Sequence, residues 1–153
     1  YYIRNGVDNL IGFKYNDDLY YYVKNIQNDI IGILDSNYNL IVKYRYDSWG
    51  NILSITDSNG NNITDTNHIG IINPFRYRSY YYDTETNLYY LNSRYYSPKF
   101  RRFLNADNIL GANQDTMSYN LYAYCSNNIV SKFDLDGNNS SCNWLVQKKL
   151  REF

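Results

Sequence analysis

The chain has 153 residues with 15 basic and 15 acidic side chains, which gives room for one domain and a moderate core. It leaves no net field to draw the chain toward nucleic acid or an anionic membrane. Hydrophobic residues make up 44%, but tyrosine accounts for 20 positions, so the core is expected to be aromatic, with phenolic hydroxyls that must find partners.

The first residues, Tyr1-Tyr2-Ile3-Arg4-Asn5, contain neither the apolar stretch of a signal peptide nor an initiating methionine, and read as the cut start of a piece of a longer polypeptide. No apolar run approaches the roughly 20 residues of a membrane-spanning helix. A repeat comes next. Asp29-Ile30-Ile31-Gly32-Ile33-Leu34-Asp35-Ser36-Asn37 returns as Asn51-Ile52-Leu53-Ser54-Ile55-Thr56-Asp57-Ser58-Asn59, at an offset of about 22 residues that Tyr22 and Tyr44 share. β-branched and aromatic runs at Tyr20–Val23, Ile30–Leu34, Leu40–Tyr46 and Ile52–Thr56 read as strands. Asp-Ser-Asn, Asn-Gly and Asp-Ser-Trp-Gly-Asn between them read as turns, so each unit is a β-hairpin. In Leu40–Tyr46, Val42, Tyr44 and Tyr46 share one face and Lys43 and Arg45 the other. Packing explains such a tyrosine stripe, and so does carbohydrate binding.

From Asn73 the texture changes. Asn73-Pro74-Phe75-Arg76-Tyr77-Arg78-Ser79-Tyr80-Tyr81-Tyr82-Asp83 is followed by Leu88-Tyr89-Tyr90-Leu91-Asn92-Ser93-Arg94-Tyr95-Tyr96-Ser97-Pro98, then Arg101-Arg102-Phe103-Leu104-Asn105-Ala106-Asp107. Asn120-Leu121-Tyr122-Ala123-Tyr124-Cys125-Ser126-Asn127-Asn128 and Asp134-Leu135-Asp136-Gly137 complete the series. These five elements, in this order and behind hairpin repeats, closely resemble the RHS/YD-repeat family and its RHS repeat-associated core. The division that follows is YD-type hairpins over 1–72, the associated core over 73–137, and a truncated or remnant variable region over 138–153.

The resemblance implies an all-β fold of antiparallel hairpins forming part of a spiralling shell, with the core segment as a plug. It implies a shell that encloses a variable C-terminal effector in a polymorphic toxin system, secreted or at the cell surface of a bacterium. Its partners would be the upstream repeats and the effector of the same chain. In several members the plug also cuts the chain after the closing element by an aspartyl-protease-like reaction. Carried over by motif, the machinery would be Arg94, Asp107 and Asp134, with the cut near Gly137, Asn138 and Asn139. Two carboxylates close enough that only one ionises can divide the roles of base and acid, and an arginine would hold the ionised one.

Each of these residues also has a structural reading. Asp107 suits the cap of a turn or short helix before Ile109-Leu110-Gly111. Arg94 suits a strand residue paired with a carboxylate or stacked on Tyr95. Asp134 and Asp136 suit a turn at Gly137. The chain departs from the family pattern at Ser97, where aspartate is usual, and at Ile129 and Leu135, where proline is usual. Proline would pre-organise the loop presented for attack, so Leu135 is expected to slow or abolish cleavage.

In the tail, Trp144, Leu145 and Leu150 alternate with Lys148, Lys149 and Arg151, a pattern that suits at most a short amphipathic helix with a solvated basic face. Cys125 and Cys142 leave a mutual disulfide and a pair of thiols both open. With one histidine, His68, and no Cys-x-x-Cys spacing, no metal and no cofactor is expected. Asp57–Asn61 looks faintly like a calcium loop but lacks the glutamate such a loop needs. No phosphate-binding glycine loop, zincin helix or nucleophile elbow occurs, so a conventional diffusible enzyme is not expected. Three functions stay open: a structural shell segment, which is favoured, a single-turnover self-cleaving segment, and a carbohydrate- or cell-surface-binding module without catalysis.

Overall fold

The computed structural model of the chain describes residues 1–6, 9–107, 120–134, 136–138 and 140–142. The described residues are almost entirely antiparallel β structure and divide into two compact units, Tyr1–Asp47 with Ile52–Ser79, and Ser48–Asn51 with the described residues from Tyr80 on.

The first unit is a six-stranded meander of β1 (Tyr2–Asn5), β2 (Asn9–Tyr15), β3 (Asp18–Lys24), β4 (Ile30–Leu34), β5 (Leu40–Tyr46) and β6 (Ile52–Thr56), each strand beside its sequence neighbours. The turns explain the order. Asn16 and Asp17 both take positive φ, 47° and 68°, the type I′ geometry whose twist matches that of the flanking strands. The Asp-Ser-Asn repeats fold into one device used twice. Asp35 Oδ1 accepts the amides of Asn37 (2.9 Å) and Asn39 (2.8 Å) while the Asn39 side chain donates to Oδ2 (3.0 Å). Asp57 repeats this with Asn59 (2.8 Å) and Asn61 (2.9 and 3.0 Å). Bonds from Asn39 and Asn61 hold both carboxyls below the usual aspartate range. Asn25 to Asp29 closes the same way with amide and acid exchanged: Asn25 Oδ1 accepts from Gln27 and Asp29, and Asn25 Nδ2 donates to Asp29 Oδ2 (2.7 Å).

Val42 and Tyr44 are buried and Arg45 is exposed, so the stripe on β5 faces the core. Its phenols find the partners that burial demands. Tyr44 Oη donates to the Gly70 carbonyl (2.8 Å), Tyr46 Oη to Ile30 (2.8 Å), and Tyr22 Oη to Asn73 Oδ1 (2.6 Å). A segment with one helical turn, α1 (Ile69–Ile72), lies on this face, and His68 caps it by accepting the Gly70 amide at Nδ1 (3.1 Å). Asn73, fully buried, ties the segment down by donating to Phe75 O (2.6 Å) and Tyr44 Oη (3.3 Å).

In the second unit β7 (Tyr81–Asp83), β8 (Leu88–Tyr90), β9 (Tyr95–Ser97) and β10 (Arg102–Phe103) form a sheet in the order β10-β9-β8-β7, and β11 (Lys132–Asp134) pairs with β12 (Ser140–Cys142). Tyr80, Tyr89, Leu91, Tyr96, Phe103, Tyr124, Cys125 and Ile129 are buried. Tyr89 Oη donates to Gly50 O and Tyr96 Oη to Trp49 O, each at 2.8 Å. Cys125 is buried in this unit, and the side chain of Cys142, on which the disulfide alternative turns, lies outside the described residues. The helical tail is corrected in part: residues 140–142 form a strand, because the chain folds back after Gly137 and pairs Asp134 with Ser140. The remainder of that tail, 143–153, lies outside the described residues, as do Ile109-Leu110-Gly111. No helix among the described residues is long and apolar enough to cross a membrane.

Gly70 sits where a side chain would collide with the core, since an added Cβ would lie 2.9 and 3.1 Å from the two Val42 methyl carbons. Gly70→Ala is expected to destabilise the chain by about 1–3 kcal/mol through overpacking. In denaturant unfolding, the Gly70→Ala/Val42→Ala pair should cost less than the sum of its members; strict additivity would refute this contact as the cause.

Candidate functional site

Arg94 stands at the end of a tight turn, one residue before β9. Leu91 N donates to Arg94 O (3.0 Å), Ser93 N to Leu91 O (2.7 Å), and Asn92 between them has φ 62°. Its guanidinium is buried and lies over the Phe103 ring, 3.7 Å from the centroid. Of the structural reading, a strand residue paired with a carboxylate or stacked on Tyr95, the carboxylate pairing is met by Asp107 and Asp134, while β9 begins after Arg94 and the ring beneath it is Phe103 of β10.

Every edge of the guanidinium is engaged. Nη2 lies 3.0 Å from Asp107 Oδ2 and 3.8 Å from Asp134 Oδ2. Nη1 donates to Leu121 O (3.0 Å), and Nε donates to the carbonyl of Gly137. The structure thus brings Arg94, Asp107, Asp134 and Gly137 together around one side chain. Asn138 is close by in the chain, with its amide on Asp136 Oδ1 (3.0 Å), while Asn139 lies outside the described residues.

Local structure fixes each group. Asp107 is held by its own amide, which donates to Leu121 O (2.9 Å), so both it and Arg94 use that carbonyl. Asp134 ends β11, where the Tyr80 hydroxyl donates to its backbone carbonyl and Asp134 Oδ1 accepts the Gly137 amide (2.8 Å). The turn reading of Asp134 and the site reading thus describe one carboxylate with two oxygens in different use. Gly137 has φ 79°, and an added Cβ would lie 2.7 Å from Ser93 Oγ and 2.8 Å from Leu91 O, so the loop closes tightly on the Arg94 turn.

The electrostatics separate the two acids. Burial pushes the Asp134 carboxyl up to about 6, against the opposing pull of the Gly137 amide and Arg94 and with help from the Asp136 charge. Asp107 makes the shorter ion pair. Burial also lowers the pKa of Arg94, with Asp107 and then Asp134 working against it, yet a guanidinium stays charged at any physiological pH. One fixed cation facing two carboxylates is neutral only when one acid is protonated, and the more deeply buried acid, Asp134, is the one to take the proton. Among the described residues, no group of three His, Cys, Asp or Glu side chains could hold a metal ion.

The motifs led to the three charged residues. They did not lead to the Leu121 and Gly137 carbonyls, which are backbone groups, nor to Phe103, Tyr80 or Ser93, whose roles depend on how β10, β11 and the Arg94 turn meet.

No family model matches the chain. It is 39% identical over 128 residues to a tRNA3(Ser)-specific nuclease WapA of Bacillus spizizenii, covering 84% of the chain and 5% of that protein. It is 42% identical over 118 residues to a tRNA nuclease WapA of Bacillus subtilis, covering 77% of the chain and 5% of that protein. Among solved structures, TcdB2–TccC3–Cdc42 superposes with a TM-score of 0.67 at 29% identity over 82% of the chain, and TcdB2–TccC3 with 0.66 at 27% over 88%. The chain belongs to the RHS/YD-repeat family. This RHS chain spans about one-twentieth of the length of those curated relatives, 5% of each. Its relatives tie it to toxin-associated RHS proteins.

The folded state holds a proton on Asp134 up to about pH 6, where an ordinary aspartate would release it near 3.8. This contribution to stability is complete below the ordinary value and is lost as pH rises through about 6. Asp134→Asn keeps an oxygen for the Gly137 amide and cannot ionise, so at pH 7.5 it should exceed wild type in unfolding free energy, by up to about 3 kcal/mol. The advantage should shrink as the pH is lowered to 4; a difference independent of pH would mean that burial does not raise this carboxyl.

Proposed function

We propose that the chain is part of an RHS β-shell that encloses a variable C-terminal effector, and that its Arg94 cluster cuts the polypeptide once, just after the closing element. The observation that carries this reading is the Arg94 guanidinium, which binds the Gly137 carbonyl and two unlike carboxylates at once. Hydrolysis would proceed as follows. Asp107 takes a proton from water while the water oxygen bonds to the carbonyl carbon, and Arg94 Nε stabilises the oxyanion. Protonated Asp134 then gives its proton to the leaving nitrogen, the C–N bond breaks, and a carboxylic acid and an amine result. The Gly137–Asn138 bond is favoured because Arg94 holds its carbonyl; a cut one residue later is the neighbouring outcome.

The toxin association of the relatives supports a secreted or cell-surface protein whose partners are the upstream repeats and the effector of its own chain. The nuclease names belong to the whole relatives, of whose length the chain matches 5%.

The test is intact mass of the chain joined to its native upstream repeats, beside Asp107→Asn and Arg94→Lys. Wild type should split near Asn138, Asp107→Asn should stay whole, and Arg94→Lys should be slowed at least a hundredfold by losing the forked contacts. Because Asp134 must carry a proton and burial pushes it up to about 6, the wild-type rate should fall as pH rises above that value. An intact wild-type chain at every pH sinks self-cleavage and leaves a structural plug.

A second reading rests on a different observation. Tyr81, Tyr90 and Tyr95 are cross-strand neighbours on β7, β8 and β9, each 39–46% exposed, with the last two rings 5.0 Å apart. Such a platform suits the apolar faces of sugars. Saturable binding of a cell-wall glycan, lost in Tyr90→Ala and Tyr95→Ala, is the expected sign of it; binding unchanged by both removes it.

A further inference from the structure

The closing loop lacks the proline that family members place between its two aspartates, since Leu135 stands there. Proline would fix φ and limit the ways the loop can present its carbonyls. The loop is nevertheless held at three successive described carbonyls. Tyr80 Oη donates to Asp134 O, Ser93 donates to Asp136 O, and Arg94 Nε donates to Gly137 O. The middle clamp is double, because Ser93 gives Asp136 O both its hydroxyl (2.6 Å) and its amide (3.2 Å).

We propose that Ser93 is a positioning residue that takes the place of the missing proline, locking Asp136 so that the Gly137 carbonyl stays on Arg94. This rests on the self-cleavage reading above for its catalytic consequence, but not for the clamp itself. Ser93 precedes Arg94 in the same turn, so the residue that fixes the loop and the residue that binds its carbonyl move together. The fit is close: Ser93 Oγ and Leu91 O occupy the space that a Cβ on Gly137 would need. Hydroxyl and amide converge on a carbonyl one residue from the bond to be cut.

Ser93→Ala keeps the amide and loses the hydroxyl, and one neutral hydrogen bond corresponds to a rate loss of roughly three- to tenfold. Ser93→Thr should retain the wild-type rate, and Ser93→Ala/Leu135→Pro should recover it. The pH profile should keep its shape throughout, because Ser93 moves no proton. Amide exchange at Gly137, measured in an Asp107→Asn background that keeps the chain whole, reads the clamp without any cleavage. Exchange there should quicken in Ser93→Ala and slow again when Leu135→Pro is added. Equal exchange with and without the hydroxyl overturns the proposal. Altered exchange in a chain that never self-cleaves upholds the clamp and overturns the catalytic reading instead.

Discussion

A buried guanidinium cannot stay in a protein interior without acceptors arranged around it, and the second unit is organised by that demand. Arg94 takes acceptors from three separate stretches: Asp107 after β10, the Leu121 carbonyl, and Asp134 with Gly137 at the end of β11. Each is remote in sequence. Removing Asp107, the carboxylate at 3.0 Å, would leave the buried charge without its close counter-ion, at a cost of several kcal/mol. The ring of Phe103 closes the remaining face and excludes water from it. The cation therefore sets which segments must meet, and the carbonyl of Gly137 is brought to it as one of those acceptors.

The same logic, in neutral form, governs the rest of the chain. A core built from tyrosine buries rings and hydroxyls together, so each strand face specifies both a packing partner and a hydrogen-bond acceptor. Tyr44, Tyr46, Tyr89 and Tyr96 each find a backbone carbonyl, and Tyr22 finds the Asn73 amide group. Sliding by one residue would turn any buried face outward, and sliding by two, which keeps the face, would still strand a buried phenolic hydroxyl. Tyrosine thus adds register to strands whose turns are short and whose core is otherwise largely aliphatic.

That dependence explains what could be read in the sequence. The strand runs at 30–34, 40–46 and 52–56 reappear as β4, β5 and β6 with the same bounds, because period-two patterning and Asx turns are local properties. The Asn25–Asp29 loop was not legible because its acid and amide are exchanged, although its geometry matches the other two. Arg94, Asp107 and Asp134 were legible only through resemblance, since nothing local distinguishes them from other charged residues. The Leu121 and Gly137 carbonyls could not be read at all: a backbone oxygen has no letter. Pairing of 140–142 with β11 was hidden for a related reason, since three short polar residues become a strand only when a partner lies alongside.

The position of Asp134 combines two requirements that ordinarily conflict. A turn acceptor is best ionised, because the Gly137 amide prefers a negative oxygen, whereas a buried acid beside Asp136 is best neutral. The two oxygens meet these requirements separately, since Oδ1 keeps the amide while Oδ2 lies toward Arg94 at 3.8 Å, too far for a full hydrogen bond. Asp107 at 3.0 Å has the stronger claim on the same nitrogen. One arginine with unequal distances to two acids therefore breaks their symmetry, and the same guanidinium holds the Gly137 carbonyl.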